Sequence, residues 1–247
     1  MTFLLVDNSN TRTKFASASA ETLSGWQSII PTKNITEDNL ESLLSDQSWD
    51  AAIVSSVVPE KSHILASYFN KIGPCLLISH QSNLPIDIDY PKPEQIGADR
   101  LANAAAAFTL FGSPCVVLDF GTAVTFDIIS KEKEKSLYKG GVIAPGLASM
   151  TEGLARRTAL LPHIQLEEPK NVIGKSTEEA MLAGAIYGYR GLVREILTQI
   201  EKELQETPTI IATGGDAALI IKGLPEICHH SPQLTLEGLR IIANLHF

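Results

Sequence analysis

Residues 3–16 read FLLVDNSNTRTKFA, and the fold depends on how this stretch is interpreted. Four apolar residues lead directly into Asp7, four small polar residues follow, and the chain then returns to apolar character. One interpretation is a β-hairpin whose Asp and Asn side chains satisfy their own backbone. The other is a turn that binds phosphate. The stretch alone is compatible with both, so the rest of the chain has to decide.

The same pattern recurs in the second half of the chain. Residues 117–125 read VLDFGTAVT and align with residues 5–13, LVDNSNTRT. Both segments contain an apolar strand, an aspartate, one spacer, a small residue and further small polar residues, and both lead into a second strand. Two such hairpins, facing each other across a cleft, would present backbone N–H groups and hydroxyls to nucleotide phosphates, while the aspartates hold the neutralising cations. The repeat therefore favours a nucleotide-binding protein.

A third motif, IIATGGD at residues 210–216, follows both of these turns. Two adjacent glycines after an apolar strand allow the backbone to approach a flat ligand closely, because no Cβ intervenes. In isolation the motif favours an ordinary βα turn in which Asp216 caps the next helix. Its position after two turns of the phosphate-binding type favours the ligand-binding interpretation instead.

The composition is that of a well-packed globular protein. Of the 247 residues, 44% are hydrophobic and 19% are charged, which argues against disorder. The net charge of −8 disfavours a nucleic-acid partner, since phosphate backbones require a basic surface. A small anionic ligand is still compatible with this charge, because a few N–H groups and cations can bind one locally.

Three features of the sequence bear on location and metal binding. The first apolar run ends at Asp7 without a basic leader, and the best apolar stretch, residues 104–117, is interrupted by residues 112–114, so we expect neither a secretory signal nor a membrane span. Three widely spaced cysteines without a C-x-x-C pair indicate reduced thiols of a cytoplasmic protein. The CHH run at residues 228–230 lacks a second ligand pair, so we expect no metal site there.

Apolar runs and helical patterns alternate along the chain. We expect strands at residues 3–6, 51–54, 75–78, 115–118, 124–129 and 209–212, and helices at residues 37–44, 61–72, 98–111, 149–157, 177–204 and 216–221. This alternation predicts an α/β protein with central sheets covered by helices. The GSP run at residues 112–114 indicates a boundary between an N-terminal domain, residues 1–112, and a C-terminal domain, residues 113–247.

Motifs along the whole chain resemble one family. The order of two phosphate turns and a Gly-Gly pair is similar to that of the acetate kinase, sugar kinase, Hsp70 and actin superfamily. Within it, residues 96–104, IGADRLANA, closely resemble the G-x-D-R segment of type III pantothenate kinases, with Tyr90 at the expected spacing upstream. Further similar segments are SSVVP at 55–59, GGVIAPG at 140–146, RTALLP at 157–162, IGKST at 173–177 and LEGLR at 236–240.

This resemblance implies a fold and an activity. The fold would be two ribonuclease H-like, actin-like subdomains with mixed sheets and a nucleotide cleft between them. The activity would be phosphoryl transfer from ATP to the primary hydroxyl of pantothenate, the first step of coenzyme A synthesis. Two alternatives stay open: a non-catalytic relative that acts as an accessory transcription factor, and a kinase for another small hydroxyl compound. Retention of Asp7, Asp99, Arg100, Asp119 and the Gly-Gly pair argues against the regulator.

The resemblance also implies roles on the substrate side. Asp99 would be the general base that accepts the hydroxyl proton, although an Asp at a helix start is ordinarily an ion-paired carboxylate stabilised by the helix dipole. Arg100 would either orient Asp99 or bind an anionic end of the substrate. Thr177 would contact pantothenate, cap its helix, or do both, with Ser176 as the competing cap. The implied substrate-binding residues are Tyr90, Gly97, Ala98, Asp99, Arg100 and Thr177.

On the nucleotide side, the resemblance implies ATP, Mg²⁺ and a monovalent cation, K⁺ or NH₄⁺. Asp7 would act through Mg²⁺ at the ATP phosphates, and Asp119 would bind the monovalent cation in an oxygen-only site. Thr122 would bind a phosphate, and Lys14 would either reach a phosphate or stay solvated. The implied nucleotide-binding residues are Asp7, Asn8, Ser9, Asn10, Thr11, Arg12, Thr13, Lys14, Thr122, Gly214 and Gly215.

Two positions depart from the family pattern. Ser9 stands where the first turn usually has Gly. If that position needs a positive φ, Ser9 would carry backbone strain, and otherwise its hydroxyl adds a donor. Leu101 stands where many relatives are expected to have Trp.

The predicted helix at residues 177–204 contains Gly184, Gly188 and Gly191. Each glycine costs a helix about 1 kcal/mol relative to alanine. Close packing would compensate, either within the chain or against a second subunit. The resemblance implies a homodimer with the active site near the interface.

Overall fold

The computed structural model describes residues 1–247, which form an α/β structure of two compact units. The first unit comprises Met1–Gly112 and Gln233–Phe247, and the second comprises Ser113–Pro232. Each unit contains a mixed sheet with helices packed on it, which confirms the predicted fold class. No helix has both the length and the apolar character that a membrane crossing requires.

The sheet of the first unit is built around a buried central strand. Its strands are β1 (Thr2–Asn8), β2 (Arg12–Ser19), β3 (Leu23–Pro31), β4 (Ala51–Ser56) and β5 (Cys75–Leu77), and a two-residue strand, β6 (Asp87–Ile88), follows later in the unit. The order across the sheet is β3-β2-β1-β4-β5. β1 pairs antiparallel with β2 and parallel with β4, so its polar end is flanked on both sides.

The helices of the first unit begin and end at recognisable signals. They are α1 (Glu37–Leu44), α2 (Pro59–Ile72) and α3 (Ala98–Phe111), together with the C-terminal helix Leu234–His246. Thr36 caps α1 by accepting the Asn39 N–H, and Pro59 opens α2, where its missing N–H costs nothing. Gly112 ends α3 with a φ of 81°.

The second unit repeats this arrangement. Its strands are β7 (Cys115–Phe120), β8 (Ala123–Glu132), β9 (Lys135–Pro145), β10 (Thr209–Thr213) and β11 (His229–His230). Within the unit they lie in the order β9-β8-β7-β10-β11. β7 pairs antiparallel with β8 and parallel with β10, as β1 does with β2 and β4. The sequence repeat between residues 5–13 and 117–125 therefore corresponds to a repeated strand topology.

Three helices complete the second unit, namely α4 (Leu147–Arg157), α5 (Thr177–Leu204) and α6 (Ala217–Ile220). The buried positions of α5 recur at helical spacing, at Ile186, Tyr189, Val193, Leu197 and Ile200. These residues join the buried strand residues in one apolar cluster. The buried face of α5 thus packs in the same apolar core as β7 and β10.

The C-terminal segment corrects the predicted domain boundary. The sequence places residues 113–247 in one domain, whereas the structure groups Gln233–Phe247 with the first unit. The C-terminal helix, α7 (Leu234–His246), packs on α3, where the Thr235 hydroxyl donates to Asn103 Oδ1 at 2.8 Å. A Cβ at Gly238 would overlap the backbone of Ala102, so the two helices approach closely there. The sequence analysis did not predict this helix.

Candidate active site

The first predicted phosphate turn connects β1 and β2. The antiparallel register pairs Asp7 with Lys14, and the Ser9 N–H donates to the carbonyl of Arg12 at 3.1 Å across the turn. Asp7 is only 4% exposed, and its Oδ2 lies 3.6 Å from Lys14 Nζ. Lys14 is therefore the ion-pair partner of a buried carboxylate rather than a merely solvated lysine.

A buried polar network holds this turn in place. Asn8 Nδ2 donates to Thr13 Oγ1 at 2.7 Å, and the hydroxyls of Thr13 and Thr32 lie 3.0 Å apart. The Thr32 hydroxyl also donates to the carbonyl of Ser9 at 2.6 Å, and Ser56 Oγ donates to Asn8 Oδ1 at 2.7 Å. Because such bonds in the protein interior reinforce one another, the network makes the turn rigid.

The network engages the side chains of two residues that the sequence analysis names among the nucleotide-binding residues. Asn8 and Thr13 are 1% and 0% exposed in the structure. Both are bonded to other side chains of the unit. They position the turn, whose most exposed part is residues 10–12.

Ser9 does not adopt the glycine conformation. The non-glycine residues with a positive φ are Lys133 and Gln205, so the backbone of Ser9 lies in the region that ordinary residues adopt. Of the two alternatives for this position, strain is therefore excluded. The serine hydroxyl is an additional polar group at the turn.

The G-x-D-R segment forms the start of α3. Gly97 precedes the helix, and Asp99 Oδ1 accepts the backbone N–H of Arg100 at 2.8 Å. A Cβ at Gly97 would lie 2.5 Å from Asp99 Oδ1 and 3.5 Å from Val57 Cγ1. The glycine is thus needed for the Asp99 carboxylate to fold back over the helix start.

Within the first unit, the structure brings three of the predicted motifs together. The Val57 N–H donates to the carbonyl of Asn8 at 3.1 Å, directly after the aspartate of the first turn. Val57 in turn lies beside the Cβ position of Gly97. The SSVVP segment at residues 55–59 therefore joins the first predicted phosphate turn to the start of the G-x-D-R segment.

The second predicted phosphate turn connects β7 and β8. The Gly121 N–H donates to the carbonyl of Ala123 at 3.0 Å, and Gly121 and Thr122 are exposed. Two groups from the start of α4 hold the carbonyl of Thr122, namely the Gly146 N–H at 3.1 Å and the Ser149 hydroxyl at 3.0 Å. A Cβ at Gly146 would overlap the carbonyls of Gly121 and Thr122. The backbone of Thr122 is thereby fixed while its side chain faces solvent.

The Gly-Gly pair lies directly against this second turn. The Asp216 N–H donates to the carbonyl of Phe120 at 3.1 Å. Gly214 has a φ of +94°, and a Cβ there would lie 2.5 Å from the backbone N and O of Phe120 and 2.6 Å from Asp119 Oδ1. Both the conformation and the close approach require a glycine. A Cβ at Gly215, in contrast, would meet nothing within 4 Å.

The surroundings of Asp119 offer oxygen ligands of the kind that bind hard cations. Asp119 is half-buried, and its register partners are Thr125 on β8 and Thr213 on β10. Carboxylate and hydroxyl oxygens are the donors that hard cations prefer. The chain contains no group of three or more His, Cys, Asp or Glu side chains that could hold a metal ion on its own. A cation at Asp7 or Asp119 would therefore need further oxygens, such as hydroxyls, backbone carbonyls or phosphate oxygens.

The start of α5 shows which residue caps the helix. Ser176 Oγ accepts the N–H of Glu179 at 3.2 Å and is the cap of the helix. Thr177 is the first helical residue, is exposed and does not cap. Its role in substrate binding stays a prediction. Tyr90, the other predicted substrate contact outside α3, is half-buried two residues after β6.

Burial shapes the electrostatics beside the Gly-Gly turn. It raises the pKa of the Asp216 carboxyl above its ordinary value. It also raises the pKa of Tyr189 on α5 to about 12, and the negative charge of Asp216 contributes in the same direction. The two groups therefore lie close enough to interact, and Tyr189 stays protonated at neutral pH.

Sequence reasoning missed the residues that support the turns. Thr32 is 23 residues from Ser9, and Ser56 is 48 residues from Asn8, so no local pattern reveals these hydrogen bonds. The sequence did carry a signal for Gly146, because this glycine ends the GGVIAPG segment at residues 140–146 that resembles the family.

Structural comparison first defines the class of protein. A conserved Campylobacter jejuni protein assigned to the Baf family of transcriptional activators matches 97% of this chain and 96% of its own, with a TM-score of 0.61 and 19% identity. The inorganic polyphosphate/ATP-glucomannokinase of Arthrobacter sp. strain KM matches 99% of both chains, with a TM-score of 0.51 and 17% identity. Likeness at these identities shows the fold alone. The chain has the actin-like fold of sugar kinases and related ATPases.

Sequence comparison then defines the family. The family model for type III pantothenate kinase matches residues 3–199. The type III pantothenate kinase of Akkermansia muciniphila is 54% identical over 246 residues, which cover 100% of both chains. That of Methylacidiphilum infernorum is 40% identical over 244 residues, which cover 98% of this chain and 88% of the relative. The chain belongs to the type III pantothenate kinase family.

Replacing Gly214 with alanine should destabilise the protein, and replacing its neighbour should not. Gly214→Ala combines a positive φ with a clash against the backbone of Phe120, which should lower the free energy of unfolding by roughly 2–4 kcal/mol. Gly215→Ala is the matched control and should stay within about 0.5 kcal/mol of the parent. Urea denaturation measures both values. Equal stability of the two variants would contradict the close approach of Gly214 to the second turn.

Proposed function

We propose that this chain transfers the γ-phosphoryl group of ATP to the primary hydroxyl of pantothenate, the first step of coenzyme A synthesis. The observation that carries the proposal is the end-to-end match to proteins named type III pantothenate kinase, at 54% identity in one case. The placement of the Asp99 carboxylate supports catalysis rather than a regulatory role without chemistry. It also supports a kinase for another alcohol, which is why the substrate is tested directly below.

Asp99 is the proposed general base. Its carboxylate lies in the first turn of α3, where the N–H of Arg100 orients it and Gly97 leaves room for it. As the hydroxyl oxygen of the substrate forms its bond to the γ-phosphorus, the bond from that phosphorus to the ADP oxygen breaks and the hydroxyl proton passes to Asp99. The main chain of Arg100 thus orients the base, and its guanidinium group is the proposed partner of the anionic end of pantothenate.

The proposed ATP contacts come from both phosphate turns and the Gly-Gly pair. In the first turn they are the Ser9 hydroxyl, the exposed residues 10–12 and Lys14, and in the second turn the Thr122 side chain. Gly214 and Gly215 are the proposed contacts of the adenosine. Asp7 would hold Mg²⁺ and Asp119 would hold K⁺ or NH₄⁺, and these cations neutralise phosphate charge when bound.

We also propose a cytoplasmic location, which the state of the cysteines supports. Cys75, Cys115 and Cys228 are all free thiols. Burial raises the pKa of Cys75 to about 11 and that of Cys115 to about 12, so these two stay protonated and unreactive.

The proposed working unit is a homodimer, and an exposed apolar face on the second unit supports it. Met150 and Leu154 on α4 are 40% and 47% exposed, and Leu160 and Ile173 in the connection to α5 are 89% and 82% exposed. A groove of about 690 Å³ runs between α4 and the first turns of α5. An apolar cluster of this kind is typical of a surface that another protein covers.

The glycines of α5 support the same conclusion. A Cβ at Gly184, Gly188 or Gly191 would meet no atom of this chain within 4 Å. Packing within the chain therefore does not explain these glycines, and close approach of a second subunit is the alternative that we propose.

Turnover of pantothenate should depend on Asp99. Asp99→Asn keeps the shape of the side chain but removes the base, so ADP release with ATP, Mg²⁺, K⁺ and pantothenate should fall at least about 100-fold. Asp46→Asn, at an exposed position after α1, is the control and should match the parent. Near-parental turnover in Asp99→Asn would remove Asp99 from the base role. The absence of any pantothenate-dependent ADP release by the parent would overturn the proposed function.

The reaction should require a monovalent cation of the right size. Replacing K⁺ and NH₄⁺ with Na⁺ should lower turnover at least about tenfold, because oxygen cages discriminate cations by size. Asp119→Asn should be slow in all three salts. Equal rates in K⁺ and Na⁺ would contradict the role proposed for Asp119.

A charge placed on the apolar face should break the dimer. The parent should sediment at twice the chain mass of 26.7 kDa, and Leu154→Glu should shift it to the monomer. Leu110→Glu, on α3, is a matched control because Leu110 and Leu154 are both 47% exposed. A monomeric parent, or a Leu154→Glu variant that stays dimeric, would contradict the proposed interface.

A further inference from the structure

A buried arginine in the second unit connects two separate segments of the chain. Arg190 lies on the inner face of α5 and is 5% exposed. Its guanidinium group donates to both oxygens of Glu168, at 2.8 and 2.7 Å, and to the carbonyls of Leu219 and Ile220, at 2.9 and 3.0 Å. Four of its five N–H donors are therefore engaged in fixed directions.

The two carbonyls belong to α6, the short helix that follows the Gly-Gly pair. Only the residues from Asp216 to Leu219 separate Gly215 from the carbonyl of Ile220. A Cβ at Gly223 would lie 2.6 Å from Arg190 Nε, so the chain beyond α6 closes tightly over the guanidinium group. Arg190 thus holds the far end of the segment whose near end is the Gly-Gly turn.

The ion pair reaches a different segment. Glu168 lies in the connection from α4 to α5, residues 158–176, which has no regular secondary structure and leads to Ser176 and Thr177. The bond to Arg190 lowers the pKa of the Glu168 carboxyl, so the pair is charged at neutral pH. Through Glu168, the same guanidinium group anchors the segment that precedes the proposed pantothenate contact.

An apolar side chain or a simple cation would not replace this arrangement. A planar guanidinium group binds a carboxylate with two parallel bonds and still has donors for carbonyls in other directions, which an ammonium group cannot match. Arg194, one helical turn further along α5, offers a natural comparison. It binds Glu226 and the carbonyl of Gly223 at 2.9 Å each, but it contacts neither of the two segments that lead to the proposed site.

We propose that Arg190 is a positioning residue that holds the Gly-Gly turn for ATP and the Glu168 segment for pantothenate with one side chain. This inference rests on the proposed function for the meaning of the two segments. The two partners of the ion pair should differ in their effects. Loss of Arg190 releases both segments, whereas loss of the Glu168 charge releases only the segment that leads to Thr177.

The test compares Arg190→Met, Arg190→Lys and Glu168→Gln with Arg194→Met as the matched control. For each variant, kcat and both KM values are measured at a temperature well below its melting temperature, together with the calorimetric Kd for ATP. Hydrogen exchange at residues 166–176 and 214–220 reports the two segments without any need for turnover.

The expected pattern separates positioning from simple support of the fold. Arg190→Met should raise KM for both substrates and the Kd for ATP about tenfold. Glu168→Gln should raise KM for pantothenate several-fold and leave the values for ATP within about twofold. Arg190→Lys, the variant to use if Arg190→Met does not fold, should fall between the parent and Arg190→Met. Exchange should speed up in both segments for Arg190→Met and only at residues 166–176 for Glu168→Gln.

Other outcomes would overturn the inference. A change in ATP affinity no larger than that of Arg194→Met would do so, as would equal effects of Glu168→Gln on both substrates. A parent that binds ATP but does not turn over pantothenate would overturn the proposed function alone. The inference would then be decided by the Kd for ATP and by hydrogen exchange, where a parental Kd in Arg190→Met would refute it.

Discussion

One backbone hydrogen bond, formed once in each unit, supports the position of both predicted phosphate turns. In the first unit the Val57 N–H donates to the carbonyl of Asn8, and in the second the Asp216 N–H donates to the carbonyl of Phe120, each at 3.1 Å. The acceptor always follows the aspartate of the turn, and the donor always follows the parallel strand beside it. Because buried backbone groups must find partners, this bond ties the segment after the neighbouring strand to the turn.

The two units use this constraint for different purposes. In the first, the tied segment is SSVVP, which supplies Ser56 to the buried network and places Val57 beside Gly97 at the start of α3. In the second, the tied segment is the Gly-Gly turn. Gly214 packs closely against the backbone of Phe120 there. A single strand topology thus provides a supported turn twice, and the segment tied to each turn differs. In the first unit it lies beside the proposed base, and in the second it is the proposed adenosine contact.

Local patterns predicted the repeated units and the helices at residues 37–44, 98–111 and 177–204. Apolar spacing and helix caps involve residues that are only a few positions apart, so the sequence shows them directly. Local patterns did not predict α7, whose partner α3 lies far away in the sequence, and so the boundary of the second domain was wrong. The same limit applies to the site. From the sequence, Asn8 and Thr13 resemble nucleotide ligands. In the folded chain their side chains form hydrogen bonds with each other and with Ser56 and Thr32, and no local pattern shows these bonds.

Phosphorylation of the primary hydroxyl of pantothenate is tested by identifying the product formed from ATP and pantothenate, by mass spectrometry and by phosphorus–proton coupling in NMR spectra. The expected product has gained one phosphoryl group, with the phosphorus coupled to the methylene protons of the primary alcohol. ADP formation without a phosphorylated pantothenate, or a phosphoryl group at another oxygen, would contradict the proposed reaction.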